Sequence, residues 1–230
     1  MNGLPNIVSA ITADGLAVLM QQAPTATLSG LMGAAYESWL NKKAKEAHGI
    51  LIAEISKGRR LSNDVAPDTF FGLLHRYLNA TKQGAARRNL RLMAQVLAGS
   101  LEQDCPFEPD KLASFAELVS DLTRDEIKFL AVFWSSHIES SKSPLETIDP
   151  NISAEERVQV STQAMALERL VPGICATKLD FSALGGSLTR TGLIVAQSVY
   201  GGTRFDITPR LAELAQLSDL NSALDPEFAV

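Results

Sequence analysis

The chain has 230 residues, 46% of them hydrophobic and 20% charged, which is enough for one large domain or two small ones with a real core. Aromatics make up only 6%, so that core is built mainly from Leu, Ala, Ile, Val and Met. Two cysteines, Cys105 and Cys175, with no CxxC spacing exclude a disulfide framework and read as reduced thiols in a cytosolic protein.

The net charge of −5 is unevenly spread. Residues 37–91 hold eleven Lys/Arg against five Asp/Glu, whereas residues 92–150 hold four against eleven. Blocks of opposite sign either pack against each other or leave the basic one for an anionic partner. The opening MNGLPNIVSAITADG lacks a basic stretch followed by an apolar one, so no signal peptide is expected. The longest uncharged run, between Asp14 and Glu37, is too polar for a spanning helix.

In chain order, the first expected helix runs from about Ile7 to Gln21 and stops near Ala23-Pro24. A second starts near Thr25 or Thr27 and reaches Lys57, with Leu28, Leu31, Met32, Ala35, Trp39, Ala47, Leu51 and Ile55 as its apolar stripe and Gly58 as its stop. Its other side turns basic at Lys42, Lys43 and Lys45. Residues 1–60 thus form a low-charge leader and a basic amphipathic helix, either a core helix with a solvated face or one lying on anionic lipid. Pro67 and Asp68 suit the first turn of a third helix ending near Thr81, with a break at Gly84 and a new start near Gln83.

Leu90, Met93, Ala94, Leu97 and Leu101 recur at helical spacing. Arg87, Arg88 and Arg91 stand near the start of that helix, where the macrodipole disfavours cations, so they should answer acidic groups in this chain or a partner. After the loop Asp104 to Pro109, a helix runs to Asp121 with Leu112, Phe115 and Val119 inward. Thr123-Arg-Asp-Glu126 is a capping box, and the helix it opens should bury Ile127, Leu130, Ala131 and Trp134.

The polar, proline-containing stretch Ser140 to Asn151 reads as a domain boundary, closing a helical domain over 1–142. Beyond it, Ser153-Ala-Glu-Glu156 forms a second capping box and opens a helix to about Val171. A short helix over Asp180 to Thr191, weakened by Gly185-Gly186, leads to strands at Leu193–Val199 and Arg204–Ile207 joined at Gly201-Gly202. Thr208 as N-cap and Pro209 at the first helical position begin a last helix. The expected fold class is therefore mainly α: an N-terminal multi-helix domain plus a small α+β winged-helix-like C-terminal module, 151–220, with one β-hairpin and a tail over 221–230.

No catalytic constellation emerges. His48, His75 and His137 fall in separate helices without HExxH spacing, Gly185-Gly-Ser187 lacks the second glycine of a nucleophile elbow, and no phosphate-binding glycine motif occurs. Glu102, Asp104, Glu108 and Asp110 cluster, but in a proline-containing loop without an EF-hand pattern. No metal, cofactor or small-molecule substrate is expected. Arg87, Arg88, Arg91, Lys42, Lys43 and Lys45 are the candidate contacts to a partner or an anion. Arg190, Arg204 and Arg210 are the candidate nucleic-acid contacts, although residues 151–230 carry six Lys/Arg against nine Asp/Glu.

NLRLMAQVLAGSLEQ, the loop containing Phe107, LTRDEIKFL, and the TGLI…GGTRFDIT hairpin occur in that order. This arrangement resembles the abortive-infection alpha (Abi-alpha) family of bacterial proteins over roughly Ser29 to Leu214, with Leu97–Ser100 and Leu122–Leu130 matching best. In that family a Leu-Leu-x-x-Ser helix end, a Phe-containing loop, a Leu-[Ser/Thr]-x-x-Glu helix start and a Gly-Leu-Ile hairpin recur. The resemblance implies a phage-defence or growth-arrest setting, with no catalytic residues to carry over. The expected function is a non-enzymatic interaction or regulatory protein with a protein partner or self-association. A membrane-active effector using residues 1–60, peripheral at the inner membrane, and a winged-helix DNA-binding regulator are the alternatives.

Overall fold

The structure is a computed structural model, and the residues it describes are 30–57, 67–102, 105–144, 148–149, 151–199 and 202–224. The expected helix Ile7–Gln21, the helix start at Thr25 or Thr27, the stop at Gly58, and Tyr200-Gly201 of the hairpin lie outside them. The described chain is mainly helical with one antiparallel hairpin, and it divides into two compact units, Met1–Asp121 and Leu122–Val230.

The first unit contains α1 (Gly30–Ile55), α2 (Pro67–Lys82), α3 (Arg87–Ser100) and α4 (Pro109–Asp121). Periodicity placed an apolar stripe on each, and Leu40, Ala44, Ala47 and Leu51 of α1, Phe70, Leu73 and Tyr77 of α2, and Leu112, Phe115 and Val119 of α4 are all buried. In α3 the burial is not a stripe. Every residue from Arg88 to Ser100 except Arg91 is buried, because α3 packs against the other three helices at once. Asn89 Nδ2 donates to the Val119 carbonyl at 2.8 Å, satisfying one buried polar group where α3 meets α4. Phe107, in the expected Phe-containing loop, meets the edge of Phe115 at 6.4 Å between centroids.

The break near Gly84 is present, but the next helix begins at Arg87 rather than Gln83. Gly84 has φ +80°; its N–H bonds to the Thr81 carbonyl and that of Ala85 to the Ala80 carbonyl. This pair of bonds is a Schellman end, which consumes the residues up to Ala86 and requires the left-handed conformation that glycine adopts without penalty.

The second unit contains α5 (Arg124–Lys142), α6 (Ala154–Leu170), α7 (Lys178–Leu188), a 3₁₀ turn (Thr189–Thr191), β1 (Ile194–Val199), β2 (Gly202–Ile207), α8 (Pro209–Leu217) and a second 3₁₀ turn (Leu220–Leu224). A helix, a short helix, a hairpin and a helix follow α5, the order expected of a winged-helix-like module. The sequence-based boundary at Ser140–Asn151 differs from this division: α5 packs along α6 and belongs to the second unit. The polar segment between them is a helix–helix connection, and connections are polar wherever they occur. The second 3₁₀ turn, expected as the start of a tail, packs on α5, with Leu220 buried.

The N-terminus of α5 carries the expected capping box: the Thr123 side chain accepts from Glu126 N–H, and the Glu126 carboxylate accepts from Thr123 N–H. Ser153 accepts from Glu156 N–H at 3.1 Å, but the Glu156 carboxylate turns to Arg204, so this cap is half a box. Thr208 precedes α8 with Pro209 at its start, yet its hydroxyl donates toward the Gly192 and Leu193 carbonyls instead of capping. Trp134 is partly exposed and stacks on the His137 ring; Phe129 and Phe133 take the core positions on α5.

Phe205 of β2 enters the core between Phe129 and Phe181, with centroids 6.4 and 6.1 Å away. Its ring lies on Gly185 of α7, where an added Cβ would come within 2.5 Å of it. The glycine pair that seemed to weaken this helix is what lets the hairpin close on it. An added Cβ on Gly186 meets nothing within 4 Å. The two glycines therefore give opposite predictions despite identical helix propensities. Gly185→Ala should lose about 1–3 kcal/mol through overpacking, although alanine favours helix by about 1 kcal/mol. Gly186→Ala should gain about 0.5–1 kcal/mol. Urea unfolding of both variants reads the signs, and equal effects would contradict this packing.

Candidate functional site

The basic residues nominated from sequence are partly turned inward. Arg87 Nε lies 2.8 Å from Glu46 Oε1, and Arg91 Nε lies 2.9 Å from Glu54 Oε1. Lys43 shares Glu46 at 3.2 Å, Lys57 shares Glu54 at 2.7 Å, and Arg88 is buried. These carboxylates lie on α1, inside the same basic block, so the arginines at the start of α3 answer acids of their own chain. Removing Arg91 would leave the buried Glu54 carboxylate short of a partner. Tyr77 packs beside them and donates its hydroxyl to the Ala47 carbonyl at 2.8 Å. Burial, and then the negative charge of Glu46 and Glu54, push its phenol well above the usual range. Lys42 and Lys45 are exposed on α1.

The apolar stripe of α1 meets the same fate. Ala47, Leu51 and Ile55 are buried in the first unit, while Trp39 of the same stripe stands 37% exposed. Among the described residues, no helix is long and apolar enough to cross a membrane.

In the second unit, Arg190 reaches Glu126 with both terminal nitrogens, Nη1 to Oε1 and Nη2 to Oε2, the latter at 3.1 Å. Ser187 also donates to Glu126 Oε1 at 3.0 Å, so one carboxylate caps α5 and holds the end of α7. Burial alone would raise the Glu126 pKa; the bonds from Arg190, Thr123 and Ser187 outweigh it and hold the carboxyl down at about 2. Arg204 bonds Glu156 and Gln197, each at 3.3 Å, and Arg210 donates to the Thr191 carbonyl at 3.0 Å. All three arginines expected at phosphates hold acceptors of their own unit.

Sequence reasoning missed the polar face of α6. Glu156, Gln159 and Gln163 stand at i, i+3 and i+7, one side of the helix. Gln159 donates to Asp206 Oδ2 at 2.6 Å; Gln163 accepts from Phe205 N–H at 2.8 Å and donates to the Thr203 carbonyl at 3.2 Å. These residues close the outer edge of β2. The signal was present in their spacing, but a polar helix face ordinarily means solvent. Also missed was Leu179, which stands 81% exposed on α7.

The histidines do not converge: His75 bonds Asn79 on its own helix, and His137 lies against Trp134. Burial lowers the His137 pKa, with the Asp206 charge opposing the shift. Burial, followed by the charges of Asp180 and Asp125, raises the Cys175 thiol. Among the described residues, no group of three or more His, Cys, Asp or Glu is placed to hold a metal; Asp104 of the acidic loop lies outside them. A cleft of about 300 Å³ opens in the first unit between α2 and α4 over Met93.

Glu126 makes acid stability the test of this network. Its folded pKa lies below the ordinary 4.5, so its contribution is fully present above pH 4.5 and drains away as the pH falls toward 2. The wild-type protein should exceed Glu126→Gln by on the order of 2 kcal/mol at pH 7, the half-exposed Arg190 screening the rest. That margin should shrink steadily below pH 4.5 in denaturant titrations across pH. A pH-independent margin would mean that the charge is not what holds α5 to α7. Comparison of the chain with protein-family models, with curated proteins and with solved structures gives no match.

Proposed function

We propose that this chain is a non-enzymatic interaction or regulatory protein that works by protein–protein contact, in the phage-defence setting implied by its resemblance to the Abi-alpha family. One contrast in the second unit carries the reading. Arg190, Arg204 and Arg210 are tied to Glu126, Glu156 and Gln197, and the Thr191 carbonyl, while Leu179, Val195 and Val199 stand 81%, 44% and 37% exposed. Apolar side chains left in water are what a protein partner can desolvate. Arginines already bonded to carboxylates must give up those bonds to reach phosphate, and the C-terminal block's excess of acidic groups opposes DNA further.

Two measurements on the full chain separate this reading from the DNA-binding one. Fluorescence anisotropy with duplex DNA should show no binding at physiological salt. Affinity capture from the host should retain a specific protein, another chain or a tagged second copy, and Leu179→Asp or Val195→Lys should reduce its recovery about tenfold or more. Tight DNA binding that falls steeply with salt and disappears in Arg204→Ala and Arg210→Ala would overturn the proposal.

A further inference from the structure

The cleft of the first unit carries opposite charges on its walls that do not meet. On α2, Arg76, Asn79 and Ala80 stand at i, i+3 and i+4, one face of the helix. On α4, Ala116 and Glu117 are followed one turn later by Ser120 and Asp121, again on one side. These residues line about 300 Å³ of space with Met93 of α3 at its base. Ala80, Met93 and Ala116 are buried. Each wall contributes only a methyl group at that depth, so the space between α2 and α4 stays unfilled.

The charged groups around the cleft lack counter-charges. Arg76 Nη1 donates to the Gly72 carbonyl of its own helix at 3.4 Å, a long bond. Among the described residues, no ion pair joins Arg76 to Glu117 or Asp121, although all three line the same space. The Ser120 hydroxyl lies 2.7 Å from the Glu117 carbonyl and 3.2 Å from Asp121 Oδ1. The last turn of α4 has no basic residue, so Asp121 adds its charge to the negative end of the helix dipole.

We propose that this cleft is a binding site for a basic amino acid, with its carboxylate on Arg76 and its two cationic groups on Glu117 and Asp121. Charge sets the class: one guanidinium and two carboxylates are balanced by a ligand with one anionic and two cationic groups. Their placement on opposite walls requires those groups at separate ends of the ligand. The guanidinium fork of Arg76 matches a carboxylate bidentately. A volume of about 300 Å³ is at the bottom of the range for small-molecule sites. The methyl groups and Met93 at the base suit the methylene stem of a lysine or arginine side chain. A nucleotide or other polyanion would meet one cation and two opposing carboxylates. The site lies wholly in the first unit, goes beyond the interaction reading and does not depend on it.

Titration of the full chain with L-arginine and L-lysine, to about 10 mM and followed by nitrogen–proton NMR, tests the site. The amide signals of Ala80, Met93 and Ala116 should shift and saturate, and those of the second unit should not move. Arg76→Ala and Glu117→Gln should each weaken binding about tenfold or more. Both residues are exposed, and a spectrum unchanged away from the cleft shows that the variants keep the fold. Nα-acetyl-L-argininamide keeps the guanidinium but has neither the carboxylate nor the α-ammonium, and it should bind at least about tenfold more weakly than L-arginine. If it binds as tightly, the cleft reads a single cationic side chain, such as a partner protein presents, and the proposal is overturned. The absence of saturating shifts, or binding indifferent to either variant, overturns it as well. None of these results touches the interaction reading, which fails instead if the chain binds DNA as described above or captures no protein.

Discussion

Phe205 is the residue on which the C-terminal unit turns. Its ring rests on Gly185 between Phe129 and Phe181, and its main-chain N–H points the other way, into Gln163. The side chain thus fixes which face of β2 is buried. In a strand of period two, that choice sets the facing of every other residue in the hairpin. The same face of the hairpin sends two outward groups of β2, Phe205 N–H and the Thr203 carbonyl, to Gln163 of α6.

Glu126 does for the helices what Phe205 does for the hairpin. Its carboxylate closes the capping box of α5 and takes Ser187 and Arg190 from the end of α7 and the following turn. A buried carboxylate is expensive unless its lone pairs are filled, and here four donors fill them. The cost to function is that Arg190 is engaged. The first unit repeats the pattern with Glu46 and Glu54, which hold Arg87 and Arg91. Charge that looks available in a linear sequence has in both units been used to position helices.

Much of the architecture was legible because it rests on local rules. The Thr123–Glu126 box, the Thr208-Pro209 helix start and the hairpin near Gly202 are encoded within a few residues each. The Ser153–Glu156 box was only half right, since Arg204, 48 positions away, takes the glutamate. The assignment of α5 failed for a related reason: its stripe shows that it packs, but not against what. Arg190 and Gln163 were misread or missed because their partners lie 64 and 42 positions away, and a side chain's availability is a property of the fold. Gly185 read as a weakness because helix propensity is intrinsic, whereas the ring it accommodates comes from another element.

The C-terminal unit stands on the seating of Phe205, with its ring on Gly185 and its main-chain N–H on Gln163. Amide hydrogen exchange, read residue by residue, tests that seating directly. The Phe205 amide should be strongly protected, because Gln163 holds its N–H. The amides of Ala196 and Ser198, exposed and without a described bond, should exchange freely. A Phe205 amide that exchanges as fast as those two would contradict the seating of the hairpin on α6 and α7.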